Sequence, residues 1–218
     1  MSIKNLLLDC LFPKKCYGCQ IGGTWLCQKC FTTLKNYQGE APRALKNPKN
    51  LIIAGEYKDE LLSRLITAFK FDFNQELADP LAAFLISTID KKIMINSLSG
   101  QSLSNVLIIP VPLNRARLKW RGFNQSELLA RKISNYYNWP LSLDLIKIKA
   151  TAIQAGLKEE DRLTNQNGAF KWHGGSLKNQ DVILIDDIIT SGATLNEVET
   201  IIKASGARKI IKTALAKG

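Results

Sequence analysis

Apolar residues recur in two rhythms along this chain of 218 residues. LIIAGEY (51–57), VLIIPV (106–111), LSLDLIKI (141–148), DVILIDD (181–187) and ARKIIKTALA (207–216) are short runs rich in Ile, Val and Leu, and each predicts a strand. Elsewhere the period lengthens. Leu61, Leu62, Leu65, Ile66 and Phe69 fall at i, i+3, i+4 spacing and predict a helix from Lys58. Further helices are expected over 2–12, from Gln75 to Ile95, over 123–137 and from about Thr194 to Ala204, with Pro80 in a first turn or at a break. Polar stretches at 36–50 and 96–105 connect them. Near-continuous apolar strands alternating with helices imply an α/β fold, a mostly parallel sheet with helices on both faces. The expected organisation is an N-terminal module over 1–35, a linker over 36–50 and the α/β domain over 51–218. No internal repeat is present.

Composition narrows the class. With 45% hydrophobic and 22% charged residues the chain is neither disordered nor fibrous. No apolar run approaches the ~18 residues of a membrane span. The opening MSIKNLLLDCLF is interrupted by Asp9 and lacks a small-residue cleavage site, so a cytoplasmic protein is expected. The net charge of +11 is concentrated in residues 1–50 (+6) and 105–140 (+5). Two basic blocks suit an anionic partner, a phosphorylated small molecule or a nucleic acid, although a solvated surface has the same composition.

All five cysteines lie in the first 30 residues, and Cys16, Cys19, Cys27 and Cys30 make C-x2-C-x7-C-x2-C. Two such knuckles bring four thiolates around a tetrahedral Zn²⁺. A reducing compartment disfavours disulfides, and neither pair opens a βαβ unit as a redox motif does. The expectation is a compact ribbon whose closed four-cysteine site folds the module without catalysing. Cys10, on an apolar stretch, reads as a buried hydrophobe.

The stretch VILIDDIITSGATLNEVETII (182–202) carries the most specific chemistry. A buried strand ends in Asp186 and Asp187, and Thr190, Ser191, Gly192, Ala193 and Thr194 then open a helix. In an open α/β sheet such a loop lies at the carboxyl edge, where backbone N–H groups and the helix dipole can hold a phosphate. Paired carboxylates accept from vicinal hydroxyls. The bland alternative is a strand-to-helix turn capped by Ser191 or Thr194. The constellation resembles the phosphoribosyl pyrophosphate (PRPP) signature of type I phosphoribosyltransferases.

Arg115, Arg117, Lys119 and Arg121 occupy every second position of 115–121, read as a loop between a strand and a helix that could clamp a pyrophosphate. Trp120 and Phe123 interleave with them, as stacking platforms for nucleic acid do. The polar stretch 151–170, with Gln154, Arg162 and Asn165, has the length of a functional loop or lid. Trp172 and His173, the lone histidine, are expected to pack beside a strand.

Taken together, Leu26-Cys27 to Cys30, Val111-Pro112, Arg117, Arg121-Gly122-Phe123-Asn124-Gln125, Thr151, Gln154, Leu157, Arg162, Asn165, Gly168-Ala169-Phe170 and Asp186-Asp187 to Thr194 resemble the ComF (ComF/GntX) competence family over nearly the whole chain. Asn114 stands where many members have His, Lys147 and Lys149 where Arg is usual, and Ala152-Ile153 where Pro-Pro is common. The resemblance implies a zinc ribbon followed by a phosphoribosyltransferase-like domain that binds PRPP with Mg²⁺. Asp186 and Asp187 would hold the ribose, Thr190 to Thr194 the 5′-phosphate, and Arg115, Arg117, Arg121 and Arg162 the pyrophosphate. It further implies a link to DNA uptake and natural transformation, with a competence helicase or DNA-processing proteins as partners. Two activities stay open: pentosyl transfer with pyrophosphate release, and a non-catalytic role in binding single-stranded DNA.

Overall fold

A computed structural model describes residues 13–98, 103–148 and 168–218, with the side chains of 95–98 left aside. The expected helix at 2–12, Cys10, and the segment carrying Thr151, Gln154, Leu157, Arg162 and Asn165 lie outside the described residues.

Four parallel strands form the central sheet in the order β1-β6-β5-β2: β1 Leu51–Glu56, β2 Val106–Pro110, β5 Asp181–Ile189 and β6 Lys209–Lys217. Registers such as Ile109↔Leu184 and Ile183↔Ile211 align the apolar runs. All five residues of β2 are buried, as a strand covered on both faces requires. Alternate side chains then divide the core. Ile52, Ala54, Ile108, Ile183, Ile185, Ile211 and Leu215 pack with α2 (Glu60–Phe71), α3 (Ala78–Leu98) and α5 (Gln125–Tyr137). Ile53, Leu107, Ile109, Val182, Leu184, Ile210 and Ala214 pack with α6 (Ala193–Ala204) on the other face. The expected parallel sheet with helices on both faces is observed.

The helices follow their sequence signals. Asp59 caps α2 by accepting from the Leu62 N–H at 2.9 Å, and Leu62, Leu65, Ile66 and Phe69 form its buried face. Burying each such side chain stabilises by about 1.5–3 kcal/mol. Pro80 sits in the first turn of α3, where its missing N–H costs nothing.

Three elements depart from expectation. Residues 115–121 form a helix, α4 (Arg115–Arg121), with Asn114 Oδ1 accepting from the Arg117 N–H at 2.7 Å and Gly122 closing it at φ 78°. The run 141–148 does not extend the main sheet. Leu141 makes only an isolated bridge to Ile108, and β3 (Leu145–Lys147) turns away to pair antiparallel with β4 (Phe170–Trp172). His173 lies just past β4, its N–H donating to the Asp144 carbonyl at 2.9 Å. Finally, β5 does not end at the acids but continues through Ile189 along β6.

The cysteine module is docked. Cys16, Leu26, Cys30 and Leu34 belong to the same core cluster as α2 and α3, and α1 (Gln28–Phe31) sets Phe31 edge-on to Phe84 at 6.4 Å. Glu76 Oε2 accepts from Trp25 Nε1 at 2.8 Å and pairs with Lys14 Nζ at 2.6 Å, contacts that hold the Glu76 carboxyl below its usual range. Residues 36–50 run from the ribbon to β1 and are anchored on the way, with the Tyr37 N–H donating to Ala54 and Leu45 buried.

Candidate functional site

The site lies where β5 outruns β2. Their pairing stops at Pro110↔Ile185, and the Val111 N–H makes the last bond, to the Ile185 carbonyl at 2.8 Å. Asp186 and Asp187 therefore stand at the carboxyl edge with β6 on one side and the turn before α4 on the other. Asp186 Oδ1 accepts from the Ser126 hydroxyl at 3.3 Å and the Asp187 N–H at 2.9 Å. Asp187 Oδ2 pairs with Lys70 Nζ at 2.7 Å. Burial, and then the charge of Asp187, push the Asp186 carboxyl up to about 7.

Stability therefore depends on pH at this residue. The folded state prefers protonated Asp186, so its contribution is complete below the ordinary carboxylate pKa and is lost as pH rises through about 7. Asp186→Asn removes the loss. The variant's melting temperature should gain on the wild type progressively from pH 4.5 to 7.5 and level off above that, on the order of several degrees. A difference that stays flat with pH would contradict this environment for Asp186.

The loop Thr190 to Thr194 follows directly. Gly192, at φ 83°, is the N-cap of α6 and has no side chain with which to bond the helix start. This glycine holds the cap position expected of Ser191 or Thr194, and Ser191 Oγ accepts from the Ala193 N–H, the first of the helix, at 3.4 Å. Thr190 is exposed, Thr194 half-buried, and Ser191 and Ala193 buried. A helix start with N–H groups turned outward can hold an anion.

Forming α4 redistributes the basic residues. At 100° per residue, positions four apart share a face, so Arg117 and Arg121 fall together and Arg115 with Lys119. Arg117 and Arg121 are half-buried, while Arg115 and Lys119 are exposed. Burial lowers the Arg121 pKa, with the charge of Asp187 acting against that shift. Arg121 Nη1 donates to Gln125 Oε1 at 2.7 Å, and its guanidinium lies 5.3 Å from the Phe71 ring centre and 5.8 Å from that of Trp120. Four cations in extended alternation would have faced one way; the helix makes two pairs.

The residues after Arg121 form a supporting frame. Asn124 donates to the Val111 carbonyl at 3.0 Å and accepts from the Ser126 N–H at 3.2 Å, which fixes the end of β2 to the start of α5. Phe123 is buried against Phe69 at 5.7 Å, so it is not the stacking platform expected. Phe71 and Phe73 are the rings that stand beside Trp120. Both are exposed, and their rings lie 6.1 and 5.7 Å from exposed Trp120.

Two further cations reach the site, of which Lys70 escaped sequence reasoning and Lys147 was marked only as standing where Arg is usual. Lys70 closes the apolar helix α2, and only the packing of that helix brings it to Asp187. Lys147, on β3, lies 4.9 Å from the Phe170 ring, and burial followed by the charge of Arg117 lowers its pKa while Asp186 and Glu197 oppose the shift.

The four cysteine sulfurs all lie within 4.8 Å of one another. Four Zn–S bonds of ~2.3 Å in a tetrahedron require sulfurs ~3.8 Å apart, and Cys19 Sγ lies 3.6 Å from Cys27 Sγ. Burial resists ionisation of Cys16, but the N–H groups of Cys19, Cys27 and Gly18 bring its thiol down to about 6. Burial pushes Cys30 up to about 12 in the absence of a metal charge. A Cβ on Gly18 would stand 2.5 Å from Cys30 Sγ, so the first knuckle closes only over glycine. The cluster is positioned to hold a metal ion.

Comparison with known proteins agrees. The profile of the phosphoribosyl transferase domain matches residues 100–217, which span β2, both acids and the loop before α6. Competence protein F of Haemophilus influenzae is 32% identical over 210 residues, covering 93% of this chain and 90% of that protein. The DNA utilization protein YhgH of Salmonella typhimurium is 28% identical over 190 residues, covering 85% and 81%. Competence protein ComFC of Bacillus subtilis is 28% identical over 138 residues, covering 63% and 52%. No helix among the described residues is long and apolar enough to cross a membrane. With the domain match covering the sheet edge, the acid pair and the loop, and with a competence protein alike over nearly the whole chain, the chain belongs to the ComF family of competence proteins, built on a phosphoribosyl transferase domain.

Proposed function

We propose that this protein binds PRPP with Mg²⁺ in the cytoplasm and transfers or senses its phosphoribosyl group in the service of DNA uptake. The observation that carries the reading is the adjacency of two carboxylates, where β5 outruns β2, to a helix start whose cap is a glycine. Asp186 and Asp187 accept from the ribose hydroxyls, with Ser126 and Lys70 holding them in place. The N–H groups and hydroxyls of Thr190 to Thr194 take the 5′-phosphate. Arg117 and Arg121, together with Arg162 and Lys147, supply charge for the pyrophosphate, while the helix turns Arg115 to its outer face. In transfer, the bond from the anomeric carbon to the pyrophosphate oxygen breaks, and pyrophosphate leaves with the electron pair. A bond from the acceptor to that carbon forms, and positive charge on the ring in between is stabilised by the nearby carboxylates. Magnesium arriving with the pyrophosphate would offset part of the leaving group's charge. A Zn²⁺ in the four-cysteine cluster completes the ribbon.

Pyrophosphate release from PRPP, measured against a panel of bases, amines and oligonucleotides, tests the transfer activity. The expected result is release that depends on one acceptor class. Release with none, from protein that binds PRPP, would leave sensing as the function and exclude transfer.

A second reading, favoured by Phe71, Phe73 and Trp120, is that a single strand of DNA lies on this surface. Three exposed rings give bases a stacking face, and Arg115 and Lys119 on the outer side of α4 give phosphates a counter-charge. Stacking is worth about 1–3 kcal/mol per base. Trp120→Ala should therefore weaken binding to a labelled oligonucleotide by about 5- to 150-fold, and wild-type affinity should fall steeply with salt. Affinity that is flat in salt and indifferent to Trp120 would remove this reading.

A further inference from the structure

We infer that residues 44–47 are a strap that positions the phosphate loop, with Leu45 as its principal contact. The inference rests on the phosphoribose reading of that loop and extends it to a segment outside the recognised motifs. Gly192 lies directly against Leu45. A Cβ on Gly192 would stand 2.6 Å from Leu45 Cδ1 and 3.2 Å from its Cβ, so the loop backbone rests on this side chain without a gap. Leu45 is only 5% exposed. At φ 83° the loop needs a glycine for its backbone, and the strap needs one for its space.

Polar contacts lock the strap in place. Asn196, one turn beyond Gly192, donates through Nδ2 to the Ala44 carbonyl at 2.8 Å and accepts through Oδ1 from the Lys46 N–H at 2.8 Å. The Asn196 N–H itself donates to the Gly192 carbonyl at 2.9 Å. The same helical turn thus holds the loop through its backbone and the strap through its side chain. Asn47 Nδ2 donates to Glu199 Oε1 at 2.9 Å. Lys212, fully buried in β6, pairs with Glu199 Oε2 at 2.7 Å and also donates to the Lys46 carbonyl. A buried ammonium is tolerated because both acceptors are fixed around it.

These contacts converge on the loop and the first two turns of α6. A loop already held in its binding shape loses little conformational freedom when an anion arrives, which appears as affinity. Leu45 and Asn196 are therefore positioning residues for the 5′-phosphate, and the arginine side of the site does not depend on them.

Calorimetric titration of the full chain with ribose 5-phosphate, and separately with magnesium pyrophosphate, tests this. Leu45→Ala and Asn196→Ala are expected to weaken ribose 5-phosphate by about tenfold or more and to leave pyrophosphate within about twofold, while Leu45→Met restores most of the loss. Should Leu45→Ala fail to fold, Asn196→Ala, at a half-buried position, carries the same comparison. Equal losses for both ligands, or none for either, overturn the strap while the phosphoribose reading stands. A wild-type protein that binds neither ligand overturns that reading, and the strap's role with it.

Discussion

Asp186→Asn combined with Asp187→Asn should abolish measurable PRPP binding while leaving the fold and the metal in place. Hydrogen bonds to a charged acceptor are worth about 1.5–3 kcal/mol each. Losing two of them lowers affinity by between about 10² and 10⁴. The fold survives because neither substitution removes an apolar contact. The amide that replaces the Asp186 carboxyl keeps an oxygen for the Ser126 hydroxyl and for the backbone N–H of position 187. It also removes an acid that burial had already pushed up to about 7. Lys70 loses its ion-pair partner but keeps a route to water, since its side chain is 13% exposed. Calorimetry with magnesium PRPP, beside the melting temperature and metal content of the same sample, separates loss of site from loss of fold. Unchanged affinity would take the ribose away from these acids.

The second large effect belongs to the cysteines. Cys16→Ser should release the metal and melt the ribbon, and the damage should spread. Structural zinc contributes about 10–16 kcal/mol to folding in small zinc modules, far more than a short module gains by burial. Cys16 is fully buried and receives N–H groups from Gly18 and Cys27, each at 3.4 Å, whereas Cys19 is exposed. Cys19→Ser should accordingly cost less than Cys16→Ser. Because Leu26, Cys30 and Leu34 share a core with α2 and α3, melting of the ribbon strips cover from Phe84 and Leu61. Metal analysis should fall from one zinc per chain to none, with a loss of the near-UV dichroism of Trp25 and a melting temperature lower by roughly 5–10 °C. A Cys16→Ser protein that keeps its metal and its melting temperature would contradict a structural four-cysteine site.

The features legible in the sequence were those encoded by neighbouring residues. The runs at 106–111 and 181–187 declare buried strands through composition alone, and the acids and loop after them inherit their place from the strand. The cysteine spacing declares its knuckles in the same way. What stayed hidden depends on residues far apart. Lys70 reads as the polar end of an amphipathic helix, and its pairing with Asp187 across 117 positions has no local signal. The alternation of Arg115, Arg117, Lys119 and Arg121 suggested an extended clamp, but Asn114 as a cap and Gly122 as a stop outweigh alternation and make a helix. The 141–148 run has strand composition, but composition does not choose a partner, and it pairs with Phe170–Trp172 instead of the main sheet. Leu45 is the one leucine in a largely polar stretch, with no period to mark it, yet it carries the underside of Gly192.

The central claim, that the edge between β2 and β5 is a phosphoribosyl pyrophosphate site, is tested most directly by titrating the wild-type protein with PRPP in magnesium buffer. Saturable heat is predicted at one ligand per chain, competed by ribose 5-phosphate and by pyrophosphate separately, since each would occupy one end of the site. An absence of heat from folded, metal-loaded protein at millimolar PRPP would contradict it.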